Sequence, residues 1–162
     1  MNETSEVAND EIAGGEVGEM TYRRIHHAPK DLLFDCMTQA QHLTHFWGPV
    51  GTSAPVDRIK IDLRPGGVFE TVMVSDADGS EYPTHAVYVE VNRPDRLVWT
   101  EADVEGGMLT AITFVDLGDG RTEVLTHQTN VPETYRSADA QAGFLTSLDR
   151  CDAYVVSLMS GS

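Results

Sequence analysis

The chain has 162 residues, 41% of them hydrophobic and 23% charged, with 26 acidic residues against 11 lysines and arginines and a formal net charge of −15. That length suits one domain with its own core. The charge excludes nucleic acid and anionic membrane surfaces as partners, because both would repel the protein, and no stretch approaches the roughly 18 apolar residues of a bilayer span.

Residues 1–19 carry Glu3, Glu6, Asp10, Glu11, Glu16 and Glu19 ahead of the first basic residue, Arg23. The segment has no periodic apolar face and reads as a disordered acidic tail before a domain at 20–160. It also lacks the basic start and apolar centre of a signal peptide, so a cytoplasmic protein is expected. Residues 20–28 alternate as a first strand. Pro29 then opens a helix over 31–37, and a second short helix over 38–46 ends at Gly48-Pro49, two residues that oppose helix continuation. The hexapeptide Phe46-Trp47-Gly48-Pro49-Val50-Gly51 is the exit from this helical pair.

Six more strands follow at 55–63, 67–75, 82–91, 96–103, 108–117 and 121–129, separated by the turn sequences RPGG, DADG, NRPD, EGG and GDG. Such short separators leave no room for crossover helices, so an antiparallel meander is expected. From Ser137 the period changes. Ala140, Phe144, Leu148, Cys151, Val155 and Leu158 recur every three or four residues, predicting one amphipathic helix of about 22 residues and about 33 Å. Ser137 and Asp139 supply its start and Gly161 lies past its end. The expected fold is α+β: a curved antiparallel sheet of seven strands wrapped around one long C-terminal helix, with two short helices after the first strand. Cys36 and Cys151 fall in the helical segments without a CxxC spacing, as free core-filling thiols.

Strand alternation assigns the inward face. It points Phe69, Thr71 and Met73 inward, then His85, Val87, Val89 and Val91, then Leu97, Trp99 and Glu101. Met108, Thr110, Ile112 and Phe114 follow, then Val124, Thr126 and Gln128. The interior is apolar except for His85, Glu101, Thr110 and Gln128, which can orient a ligand; His85 and Glu101 are the candidates for acid–base chemistry. The alternative places Glu101 in water past the sheet edge and His85 on a hydrogen-bonded rim. His42 and His45 share a face of the second short helix with no fixed carboxylate or thiol partner, and read as solvent-facing rather than as a metal site. No nucleophile elbow, phosphate-cradling loop or dinucleotide fingerprint is present in the sequence, so no cofactor is implied.

In order, FWGP, DLRPGGVFETVM, DADG, YVEVNRPDRLVWT, GDGRTEV and GFLTSLDRCDAYV resemble the homologues of the activator of the ninety-kilodalton heat-shock-protein ATPase, an AHSA-type family. That family lies within the START-like (SRPBCC) helix-grip superfamily, which also holds polyketide cyclases. The resemblance runs from about Thr21 to Leu158. It implies a small-molecule binder; with the inward faces read from the strands and the last helix, the expected site is a hydrophobic ligand pocket between sheet and C-terminal helix, of Trp47, Phe69, Met73, His85, Val87, Trp99, Glu101, Met108, Thr110, Ile112, Gln128, Phe144 and Leu148. The family usually has tryptophan at Phe144, glycine at Ala86, a second aromatic near Glu101 and histidine near Gln128, so the ligand does not carry over. A cyclase or aromatase using Glu101 or His85 is the enzymatic alternative. A cochaperone-like contact or a homodimer through the aromatic loop or a sheet edge is the third.

Overall fold

A computed structural model describes residues 10–13, 18–102, 104 and 107–160. Nine strands form one antiparallel sheet: β1 (Asp10–Ala13), β2 (Met20–His26), β3 (Thr52–Ser53), β4 (Lys60–Ile61), β5 (Val68–Ser75), β6 (Glu81–Asn92), β7 (Arg96–Glu101), β8 (Met108–Gly118) and β9 (Arg121–Thr129). The sheet order is β1-β2-β9-β8-β7-β6-β5-β3, with β4 also paired to β5. The consecutive strands β5 to β9 are the expected meander, and β2 joins β9 at its end with Met20 opposite Gln128 and His26 opposite Thr122. Helices α1 (Lys30–Thr38) and α2 (Ala40–Leu43) follow β2, and α3 (Ala138–Ser160) ends the chain.

Three strands differ from the sequence expectation. Residues 55–63 do not run as one strand: Pro55 accepts from the Arg58 N–H at 3.0 Å, closing a 3₁₀ turn over Val56–Arg58 before the two-residue β4. β3 was unread because two residues carry no period. The tail expected over 1–19 lies largely outside the described residues, but residues 10–13 form β1, whose backbone pairs with the otherwise open edge of β2.

The face of β6 is also reversed. Thr84, Ala86 and Tyr88 turn inward, whereas His85, Val87 and Val89 are exposed. A β-bulge between Tyr88 and Glu90 then shifts the register, so that Val91 returns to the core. Tyr88 is fixed by the RPGG segment, its N–H donating to Gly67 O at 2.9 Å and its carbonyl accepting from Gly66 N–H at 2.8 Å. A Cβ on Gly67 would stand 2.0 Å from Asp62 O, so the backbone can approach only because the residue is glycine.

α3 starts where Ser137 Oγ accepts the Ala140 N–H at 3.1 Å. Its C-terminal half enters the main core, where Cys151 and Val155 meet Phe34, Leu43, Phe69, Trp99 and Phe114. Near its N-terminal half, Phe144 and Leu145 pack on a second cluster of Met20, Tyr22, Met108 and Val131. Both cysteines are free and buried, and burial pushes the Cys36 thiol up to about 12. Two polar ties anchor α3 to the inward face of β2. Buried Arg24 donates to Asp149 at 3.0 Å, and His26 Nδ1 lies 3.1 Å from Asp152 Oδ1. No helix among the described residues is long and apolar enough to cross a membrane.

The His26 hydrogen bond, helped by the nearby charge of Arg24, holds the Asp152 carboxyl below the usual carboxylate range. The resulting stabilisation is complete above the unfolded carboxylate pKa, about 4, and disappears as pH falls through the lower folded value. Urea unfolding at stepped pH should therefore show wild-type stability falling more steeply below about pH 4 than that of Asp152→Asn; parallel profiles would remove Asp152 from the acid transition.

Candidate functional site

The loop after α2 is shaped by its own breakers. Phe46 and Trp47 N–H groups both donate to Leu43 O, closing the helical turn, and Gly48 then adopts φ +96°. A Cβ there would lie 2.6 Å from Thr52 Oγ1 and 2.8 Å from Met73 Sδ, so both the conformation and the space require glycine. Arg150 of α3 holds this loop. Its Nη1 donates to the carbonyls of Gly48 (2.8 Å), Pro49 (3.1 Å) and Thr52 (3.3 Å), and Nη2 to that of His45 (3.4 Å). Thr146 Oγ1 accepts the Val50 N–H at 3.1 Å, and a Cβ on Gly143 would only touch Pro49, at 3.6 Å.

Held in this way, the two aromatics separate. Phe46 is buried and packs near Tyr154 of α3, at 6.1 Å between ring centroids. Trp47 meets Phe69 edge-on at 5.4 Å, and Phe69 in turn meets Trp99 edge-on at 4.9 Å and stacks with Tyr88 at 5.6 Å. These offset and edge-on arrangements suit the ring quadrupoles. His42 and His45 are both taken by Tyr154: His42 Nδ1 lies 2.6 Å from the Tyr154 hydroxyl, and the His45 ring stacks at 4.6 Å.

Between sheet, loop and α3 lies a cavity of about 430 Å³. The sheet contributes Tyr22, His26, Met73, Thr84, Trp99, Ile112, Phe114 and Val124 to its wall, α1 contributes Leu33 and Met37, the loop residues 46–49, and α3 Ala140, Gly143, Phe144, Ser147, Leu148 and Cys151. Glu101, Thr110, Thr126 and Gln128 complete it, with exposed Tyr135 and Asp139 at the open side. Gln128 Nε2 donates to Thr110 Oγ1 at 3.3 Å across β8 and β9, whose register sets the two opposite each other. Thr84, Glu101, Thr110 and Gln128 thus gather at one end of a largely apolar space, and His26 stands apart from them on β2.

Of the residues expected at the pocket, Trp47, Met73, Trp99, Glu101, Thr110, Ile112, Gln128, Phe144 and Leu148 stand on this wall. Phe69 is fully buried behind Trp47 and Trp99, and Met108 belongs to the second hydrophobic cluster. His85 and Val87 face the opposite side of β6, His85 with its Nδ1 3.5 Å from Glu70 Oε2. His85 borders a separate depression of about 280 Å³ that shares Thr84, Glu101 and Tyr135 with the main cavity. Sequence reasoning missed Thr84, His26 and Arg150. The signal for Arg150 was a long cation one residue before Cys151 on the apolar side of α3, next to a loop full of unpaired carbonyls.

This architecture and site accompany a match of the sequence, over residues 27–156, to the family described as activator of Hsp90 ATPase homolog 1-like protein. The chain belongs to that family. The helix-grip fold is shared with solved structures of a protein from Chromobacterium violaceum (TM-score 0.76, 21% identity, covering 83% of this chain and 95% of that one) and of a protein from Rhodobacter sphaeroides (0.79, 18%, 91% and 99%). It is shared also with the AHSA1 protein of Silicibacter pomeroyi (0.70, 19%, 85% and 97%). No curated protein matches the chain. Within this family member, the carbonyl-to-guanidinium clamp is what fixes the loop as cavity wall.

Two substitutions test that clamp. Gly48→Ala should cost about 1–3 kcal/mol in urea unfolding, from the positive φ and the contacts with Thr52 and Met73. Arg150→Met, which keeps the aliphatic stem, should lose about 2 kcal/mol and shift the tryptophan emission to the red as Trp47 is released. Wild-type emission and stability in Arg150→Met would mean that the loop holds itself.

Proposed function

We propose that the protein binds a hydrophobic small molecule in the cavity between the sheet and α3. The observation that carries this reading is the space itself. About 430 Å³ lies within the roughly 300–1,000 Å³ of small-molecule sites and far exceeds the water-sized voids of a packed core. The wall supports it too: aromatic and aliphatic side chains provide non-directional burial, while Thr84, Glu101, Thr110 and Gln128 give one end the hydrogen-bonding groups that orient a bound molecule. The resemblance to helix-grip ligand binders points the same way.

The other readings fare less well against the geometry. An acid–base enzyme would have to work with Glu101 alone of the two expected candidates, since His85 points to the outer face. Docking of a chaperone through the aromatic loop would meet exposed Val50 but not the aromatics, because Phe46 is buried and Trp47 is half-buried against Phe69.

Titration with Nile red, a neutral dye whose emission rises and moves to the blue in apolar surroundings, checks the proposal. One saturable site per chain is expected, and Ala140→Trp, which places an indole in the space beside α3, should weaken binding at least about tenfold without changing the unfolding midpoint much. Unsaturable binding, or full binding by the filled variant, would contradict it.

A further inference from the structure

His26 ends β2 and is 1% exposed, yet it is one of the residues that line the cavity. Along β2 it stands six residues from Met20, the partner of Gln128, which places it about 20 Å of strand away from the polar end of the cavity. Phe114 and Val124, opposite each other on β8 and β9, line the same cavity, as does Leu33 of α1. One ring nitrogen is committed: Nδ1 faces Asp152 Oδ1 at 3.1 Å. An ionised carboxylate can only accept, so Nδ1 carries the proton, and a neutral imidazole protonated there presents Nε2 as an acceptor. Among the described residues the side-chain hydrogen bond of this ring is the one through Nδ1.

A tie between β2 and α3 explains Nδ1 and leaves the second nitrogen without a role. Polar atoms inside proteins are normally paired, and an acceptor set in an apolar wall selects for a donor that reaches it. The geometry points to His26 Nε2 as the acceptor for a hydroxyl group on the cavity's ligand, so that the ligand is a hydrophobic molecule with a phenol or enol at its inner end. This rests on the hydrophobic-ligand reading above. Asp152 then acts as the positioning residue, fixing the tautomer and the ring plane, as carboxylates do for histidines elsewhere.

The test compares 2-naphthol with 2-methylnaphthalene, which have nearly the same shape and differ in the donor. Displacement of Nile red should show 2-naphthol binding about tenfold or more tightly than the methyl compound, with the preference falling to about one in His26→Phe. Should that variant fail to fold, the wild-type protein still decides: long-range ¹H–¹⁵N spectra of the imidazole should show the Nδ1–H tautomer and an Nε2 resonance that moves with 2-naphthol but not with 2-methylnaphthalene. Equal affinities, or an unmoved Nε2 resonance, overturn the role of His26 while leaving a hydrophobic cavity in place. Failure of both compounds to displace the dye overturns the cavity reading together with it.

Discussion

Arg150 reaches from α3 to the carbonyls of His45, Gly48, Pro49 and Thr52, and that fork turns a run of two aromatics and two breakers into the fixed wall of a cavity. The end of a short helix leaves carbonyls without partners, and a loop crossing a helix leaves more. A planar guanidinium with five donors answers several of them from one point, which an ammonium group could not do with the same geometry. Because the acceptors are neutral carbonyls from one loop, the charge fixes the shape of that loop and its distance from α3. Trp47 and Pro49 owe their places on the wall to this arrangement, and Phe69 and Trp99 continue the wall behind Trp47.

The long helix divides its work along its length. Its C-terminal half puts Cys151 and Val155 into the main core and is tied to β2 through Asp149 and Asp152, while its N-terminal half carries the small and medium residues Ala140, Gly143 and Ser147 toward the cavity. A helix packed against the sheet over its whole length would leave no such space, since sheet and helix side chains interdigitate at near-crystalline density. The gap persists because Phe144 and Leu145 find a second cluster with Tyr22, Met20, Met108 and Val131, which props the helix at its other end. Tyr22 and Phe144, with ring centroids 4.1 Å apart, are the contact of that prop.

Most of this architecture was legible in the sequence because its signals are periodic and repeated. The five strands from β5 to β9 alternate between strong turns, and α3 carries a 3.6-residue repeat over six turns, so the strand-and-helix order and the helix-grip arrangement followed. What misled was β6, where valines occupy the outer face and threonine, alanine and tyrosine the inner one. Counting apolar residues therefore chose the wrong side, and no local pattern announces the bulge near Tyr88. His85 and Val87 left the site for that one reason. Arg150 and His26 escaped notice for another: their roles depend on loop carbonyls and on a carboxylate far away in the chain, partners that only the folded topology brings within reach.

The central claim is that the space between sheet and α3 is a ligand site, and methyl NMR of the protein titrated with naphthalene tests it most directly. The account predicts saturable shifts of the methyl groups that face the cavity, those of Leu33, Met37, Met73, Ile112, Val124 and Leu148, while Val87 and Val89 on the outer face of β6 stay where they are. Shifts confined to the outer face, or none at concentrations near the solubility limit of naphthalene, would contradict it.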